Sequence, residues 1–203
     1  MFRQVVSSVV VSVAVLGASL AHAQAAPDAM VKQVATQVID DVKGDKAIQG
    51  GDTGKVRQLV DAQVMPHVDF QRMTASVVGR SWKTATPDQQ KKLQDEFKTL
   101  LVRTYAGALS QVNPSTTVEI KPLRAAADDT DVVVKTLVKG KGDPVQLDYR
   151  LEKVGAEWKI YDVNVLGVWL VDQYRSSFAQ QIASGGVDGL INTLVEKNKN
   201  AGK

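Results

Sequence analysis

The chain has 203 residues, with 25 Lys plus Arg against 22 Asp plus Glu, two His and no Cys. Such a length supports one domain, or two small ones, with a real hydrophobic core. The weak positive charge, without a basic stripe interleaved with aromatics, excludes a nucleic-acid surface. The lack of Cys excludes disulfides, thiol chemistry and Cys-based metal sites.

The first residues address the protein. Arg3 supplies a positive start, Val5 to Leu20 is an almost uncharged apolar run, and Ala21-His22-Ala23 gives the small-x-small cleavage pattern. This predicts a secretory leader over residues 1–23, leaving a single domain over 24–203; a cut after Ala25 or Ala26 is the alternative. The apolar run is too short for a spanning helix, and no stop-transfer charges follow it. No Cys follows it to carry a lipid anchor. The expected location is the periplasm of a Gram-negative cell.

Helical spacing of Met30, Val34, Val38 and Val42 predicts a helix over Ala29 to Lys43, bounded by Pro27 and Gly44. Gly50, Gly51 and Gly54 read as a flexible loop, and Val56 to Val64 as a second helix ended or bent by Pro66. A short helix over Phe70 to Val78 closes at Gly79. Thr86, Pro87 and Gln89 form a strong helix start, followed by the stripe Leu93, Phe97, Leu100, Leu101, Tyr105 and Leu109 as far as Gln111. Asn113-Pro114 stops it.

The period then changes from 3.6 to 2. Thr116 to Arg124, Asp131 to Lys139, Val145 to Lys153 and Glu157 to Leu166 read as four strands with short turn-rich connectors, hence an antiparallel meander. In the third strand Val145, Leu147, Tyr149 and Leu151 point to an apolar face, and Gln146, Asp148, Arg150 and Glu152 to a wet one. After Gly167 a helix carries Leu170, Tyr174, Phe178 and Ile182. Gly185-Gly186 breaks it, Val187 to Lys197 forms a last helix, and Asn198 to Lys203 reads as a frayed polar tail. Helices, then strands, then helices give an α+β fold, with N-terminal and C-terminal helices packed on a curved four-stranded sheet in an NTF2-like cone. A curved sheet holding helices leaves an apolar cavity between the layers.

Catalytic constellations are missing. Downstream of the leader His67 is the sole histidine, beside Pro66, and no G-x-S-x-G elbow accompanies it. Gly50 to Lys55 lacks the spacing of a phosphate loop, with Gln49 and Val56 at positions that need Gly and Ser or Thr. Asp128, Asp129 and Asp131 lack a calcium-loop frame and read as a solvated turn. The expectation is a non-enzymatic protein with no metal and no cofactor. Large apolar residues spread over every element fit either a filled core or a ligand cavity.

Certain blocks carry a resemblance. They are P-H-V-D-F-Q-R-M at 66–73, G-R-S-W at 79–82, A-T-P-D-Q-Q at 85–90 and E-F-K-T-L-L-V-R-T-Y at 96–105. Further along come D-Y-R-L at 148–151, W-K-I-Y-D-V at 158–163 and G-V-W-L-V-D-Q-Y-R-S-S-F at 167–178. In order and spacing they resemble the MlaC family, also called the toluene-tolerance or ABC-transporter auxiliary family, across nearly the whole chain after the leader. The resemblance implies helices closing over a mixed, curved sheet with phospholipid tails inside. It implies a soluble periplasmic carrier that shuttles phospholipid between outer-membrane and inner-membrane complexes and so maintains outer-membrane lipid asymmetry. The implied partners are phospholipid, an outer-membrane lipoprotein–porin complex and an inner-membrane ABC transporter complex with an MCE domain; the expected state is a monomer. On this reading the tail-lining candidates are Val68, Phe70, Met73, Val77, Phe97, Leu101, Tyr105, Val134, Leu147, Tyr149, Ile160, Val163, Leu170, Tyr174 and Phe178, some of them plain core. Arg80, Arg103 and Arg150 are the candidates for the headgroup phosphate. The alternative reading is a non-catalytic interaction module of an envelope ABC-transporter complex. An esterase or lyase on an NTF2-like cone is a third reading, disfavoured by the His and Cys counts.

Overall fold

The computed structural model describes residues 26–126 and 128–200; the leader expected at 1–23 lies outside the described residues. Helix α1 (Pro27–Gly44) has Pro27 in its first turn, where a missing N–H leaves no bond unmade, and it buries Met30, Val31, Ile39 and Val42. A short helix precedes the expected glycine-rich loop; Gly50 and Gly51 turn as expected, while Gly54 already lies in the next helix. In α2 (Lys46–Gln49) the Asp45 carboxylate accepts from the N–H groups of Ala47 and Ile48 at 2.8 and 3.3 Å. In α3 (Thr53–Leu59) Asp52 accepts from Lys55 N–H at 3.0 Å. These caps outweigh the glycines between them. Val60–Val64 then widens into a π turn, followed by a 3-10 turn at Met65–His67. Pro66 has no N–H to continue an α ladder and crowds the preceding turn.

Helix α4 (Phe70–Val78) is capped by Asp69, which accepts from Arg72 N–H at 2.8 Å, and it ends at Gly79 with φ 69°. Helix α5 (Pro87–Tyr105) starts on the expected capping box. Thr86 Oγ1 accepts from Gln89 N–H at 3.2 Å, and Gln89 Oε1 accepts from Thr86 N–H at 3.0 Å. The stretch expected to continue as the same helix tightens instead into a 3-10 turn at Ala106–Gln111.

The sheet has five strands, not four: β1 (Thr117–Ile120), β2 (Asp131–Lys139), β3 (Val145–Val154), β4 (Glu157–Val165) and β5 (Val168–Trp169). They lie in the order β1-β2-β3-β4-β5 and every neighbouring pair is antiparallel, so the sheet is a plain meander and not mixed. The fifth strand is two residues long, too short for an alternation to be read. Strand β1 stops before Pro122, which has no N–H for the ladder. A parallel bridge joins Val68 to Ile160, and Asp69 N–H donates to Ile160 O at 2.8 Å, which fixes the start of α4 against β4.

Register sets the two faces. Val134 pairs with Tyr149 and Tyr149 with Val163; Val132 pairs with Leu151 and Leu151 with Ile160. Arg150 opposes Asp162 while Leu151 opposes Ile160, so Tyr161 is an extra residue in β4, a bulge that keeps both Ile160 and Val163 on the apolar face. The other face is not uniformly wet, since Asp148, Asp162 and Asn164 are buried on it. Asp162 accepts from Val171 N–H at 3.1 Å and pairs with Arg150 at 3.0 Å, which ties the chain after β5 to this side of the sheet.

Helix α6 (Leu170–Asn200) is broken at Gly186, φ 67°, within the expected glycine pair. It runs past Lys197. Asn198, expected in a frayed tail, is buried, and its Nδ2 donates to Glu96 O at 2.9 Å and Glu96 Oε2 at 2.7 Å. That docking onto α5 overrides the local polarity of the tail. Apolar packing forms three groups. One joins α4, α5 and α6 around Phe70, Phe97 and Phe178; one joins α1 to the sheet through Met30, Val31, Val132, Val134, Leu151 and Ile160; one joins α1, α2, α3 and the end of α5 around Val42, Leu59 and Val102. Val68 and Val163 touch both of the first two.

Candidate functional site

The apolar sheet face grades from covered to open along its strands. At one end Val132, Val134, Leu151 and Ile160 are buried against Met30 and Val31 of α1. In the middle Tyr149 and Val163 are half-buried, and beyond them so are Leu147 and Val165, which pair across β3 and β4. At the far end Val145 is 38% exposed and Val168, the partner of Val165, is 50% exposed. An antiparallel sheet normally covers its apolar face with helices; here the cover stops partway.

Tyr149 shows what the middle of this face is like. The residue is half-buried, and desolvation pushes its phenol up to about 12, offset in part by the Thr136 hydroxyl nearby and reinforced by Asp148. Its neighbour Thr136 spends its hydroxyl proton on Leu147 O at 2.5 Å, so little free polarity remains on this stretch.

The tail-lining candidates divide accordingly. Phe70, Met73, Val77, Phe97, Val134, Ile160, Leu170 and Phe178 are buried. Four aromatics form a knot: Phe97 stands 5.7 Å from Phe70, 5.2 Å from Tyr174 and 5.3 Å from Phe178, centroid to centroid, mostly edge to face. Val68, Leu101, Tyr105, Leu147, Tyr149, Val163 and Tyr174 are half-buried. Leu101, Tyr105 and Tyr174 group on α5 and α6, where the Tyr105 phenol is raised by burial and then by Tyr174, and its hydroxyl reaches Gln173 Oε1 at 3.5 Å. The tail-lining candidates do not include Met65 and Leu100, which pack on the helical core while half-buried, nor Val138 and Val165 on the sheet face. Val138 and Val165 continue the alternation that gave Leu147; the pairing register was the missing information.

The three arginines sit in different surroundings. Arg150 is on the face opposite Tyr149, paired with Asp162 at 3.0 Å and 3.9 Å above the Trp169 ring, so its guanidinium is already engaged. Arg80 is exposed on the turn Gly79–Lys83, and Arg103 is half-buried in the last turn of α5. Arg72, which the sequence reading passed over, bridges Glu152 and Asp131 and lies 3.5 Å above the Tyr161 ring. Tyr161 donates to both Asp131 oxygens at 2.9 and 2.8 Å; burial first, and Asp131 second, push its phenol up to about 12. This cluster binds α4 to the edge of β2, β3 and β4 and has no ligand-facing cation to spare.

Two surface grooves are present. One, of about 690 Å³, runs past Leu100, Asn192, Thr193, Glu196, Lys197 and Asn200; another, of about 500 Å³, lies at Asp40, Asp41, Gly44, Asp45, Ile48, Lys55, Gln58 and Leu59. Neither is lined by any tail-lining candidate, so the enclosed cavity expected from the sequence is not one of them; the apolar face is open at one end instead. Among the described residues no group of His, Cys, Asp and Glu stands close enough together to hold a metal. No helix among them is long and apolar enough to cross a membrane.

Known proteins resemble this chain in structure or in sequence. A crystal structure of a phospholipid-binding protein from Ralstonia solanacearum, in complex with a phospholipid, superposes with a TM-score of 0.84 at 49% identity, covering 88% of this chain and 100% of the other. The toluene tolerance protein ttg2D of Pseudomonas putida is 25% identical over 163 residues, 80% of this chain and 75% of that protein. The intermembrane phospholipid transport system binding protein MlaC of Haemophilus influenzae is 22% identical over 178 residues, 86% and 83% of the two chains. The model of the MlaC protein family matches residues 32–196, so the chain belongs to the MlaC family.

Proposed function

We propose that this protein is a periplasmic phospholipid carrier that holds acyl chains against the open stretch of its apolar sheet face. It would take lipid from one membrane complex and deliver it to another, an outer-membrane lipoprotein–porin complex at one side and an inner-membrane MCE-domain ABC transporter at the other, and thereby keep the outer membrane asymmetric. The observation that carries the reading is the phospholipid bound in the Ralstonia solanacearum structure, whose whole length this chain matches at 49% identity. Leu147, Tyr149 and Val163 from the sheet, with Val68, Leu101, Tyr105 and Tyr174 from the helical side, would line the tails. The helices and sheet would part as an NTF2-like cone to admit them.

The energetics suit a carrier without catalysis. Each buried methylene is worth about 0.8 kcal/mol, so exposing two acyl chains of about thirty methylenes costs on the order of 20 kcal/mol. A site as apolar as a bilayer brings exchange near balance, and partners then set its direction. The phosphate stays at the mouth, where burial does not strip its water. Arg103 and Arg80 would meet it there, whereas Arg150 would first have to leave Asp162.

Native mass spectrometry of protein purified from cells tests the reading. The expected spectrum contains a mass increment of one phospholipid that tandem fragmentation identifies. Bare polypeptide alone would overturn the carrier and favour the interaction module with a filled core.

A further inference from the structure

The hairpin between β4 and β5 has the wrong residue for its geometry. Val165 pairs with Val168, so Leu166 and Gly167 form a two-residue loop, and both have positive φ, 52° and 92°. That is a type I′ turn, in which Asn-Gly or Gly-Gly is favoured and a leucine is strained. Leu166 is nevertheless held there. Its N–H donates to Gln146 O at 3.0 Å, and Gly167 N–H donates to the buried Asn164 side chain at 2.8 Å. The side chain gains little packing in return, being 65% exposed. Local stability therefore does not explain the choice of residue, and the exposed apolar surface itself is what this position contributes.

We infer that Leu166, with Val168 and Val145 beside it, is the lip across which an acyl chain enters and leaves a phospholipid bilayer; this rests on the carrier reading above. Val168 adjoins Val165, and Val165 adjoins Leu147, so on β3, β4 and β5 the lip continues into the open apolar face. A hydrocarbon chain moving from Val168 past Val165 and Leu147 to Tyr149 stays on apolar side chains throughout. A protein-docking patch needs no such continuity and is normally rimmed by polar groups.

The test measures transfer of pyrene-labelled phosphatidylglycerol from equally loaded proteins to vesicles of phosphatidylethanolamine and phosphatidylglycerol. Leu166→Asn suits the turn, so it raises Tm by about 2–4 °C. The same change slows transfer about tenfold, the factor for each 1.36 kcal/mol of barrier. Leu166→Met, still strained and still apolar, keeps the wild-type rate, and Val168→Thr, nearly isosteric, slows transfer several-fold. A lipid-loaded Leu166→Asn protein that transfers as fast as wild type overturns the lip and assigns the exposed leucine to a protein partner. Wild-type protein that takes up no lipid overturns the carrier reading, and the lip with it.

Discussion

The two ends of the apolar sheet face are built from the same residue types and have opposite fates. Val132, Val134, Leu151 and Ile160 are sealed under Met30 and Val31 of α1, while Val145 and Val168 meet water. Leu151 and Leu147 are both paired on each side, and the bulge beside Leu151 leaves it on the same face, so the difference lies in what lies above them. The closed end serves stability; on the proposed carrier reading, the open end keeps apolar surface available for a ligand. A substitution should therefore have separable effects depending on which end it touches.

The largest effect is expected inside the closed region. Phe97 is fully buried between Phe70, Tyr174 and Phe178. Phe97→Ala removes the centre of that aromatic knot and should cost about 3–5 kcal/mol, read as a lower urea midpoint with an unchanged slope. A loss under about 1 kcal/mol would mean that the helical core repacks freely, and the division between sealed and open regions would not hold.

One substitution made at both ends sharpens the comparison. Leu151→Trp forces an indole into filled space and should destabilise by about 1–3 kcal/mol. Leu147→Trp, four residues away on the same face and half-buried, should leave the urea midpoint nearly unchanged while abolishing lipid uptake in native mass spectra. Equal destabilisation at the two positions would show that the face is packed along its whole length.

How far the sequence reveals this depends on the distance over which each feature is decided. The start of α5 is legible because Thr86, Pro87 and Gln89 place its cap within four residues. The break at Gly186 is legible for the same reason. Strand β5 and the bulge at Tyr161 are not, since two residues carry no period and an insertion shows only against a partner strand. Helix α2 was hidden because its glycine-rich surroundings outweighed a single cap at Asp45. The candidate site is legible as a pattern but not as a place. Phe97 and Tyr105 belong to one stripe of α5, yet one is buried and the other half-exposed, because α4 and α6 cover only part of the stripe. Local periodicity reports which residues prefer to be dry, and only distant segments decide which of them are covered.

Tyr149 offers a smaller effect at the boundary between the two ends. Its folded value of about 12 lies above the ordinary 10 of a phenol. The unfolded chain thus ionises first, and the stability this residue contributes is complete below pH of about 10 and is lost as pH rises towards 12. Tyr149→Phe should flatten that part of the decline in urea midpoint. A lipid tail against the ring would exclude more water, so lipid-loaded protein should titrate this phenol later than delipidated protein in an ultraviolet titration. Identical titrations would place the tail elsewhere.

The smallest effect separates stability from lipid handling altogether. Thr86 caps α5 on the exposed surface, and Thr86→Ala removes its bond to Gln89 N–H and breaks the capping box. The expected cost is about 1 kcal/mol, a fall in Tm of about 2–4 °C for a chain of this size. The cap touches none of Leu147, Tyr149 or Val163, so the variant should retain lipid and exchange it at the wild-type rate. If it loses lipid instead, modest global destabilisation is enough to empty the protein. The defect at Leu147→Trp would then need to be judged against a variant of equal stability before being credited to a blocked face.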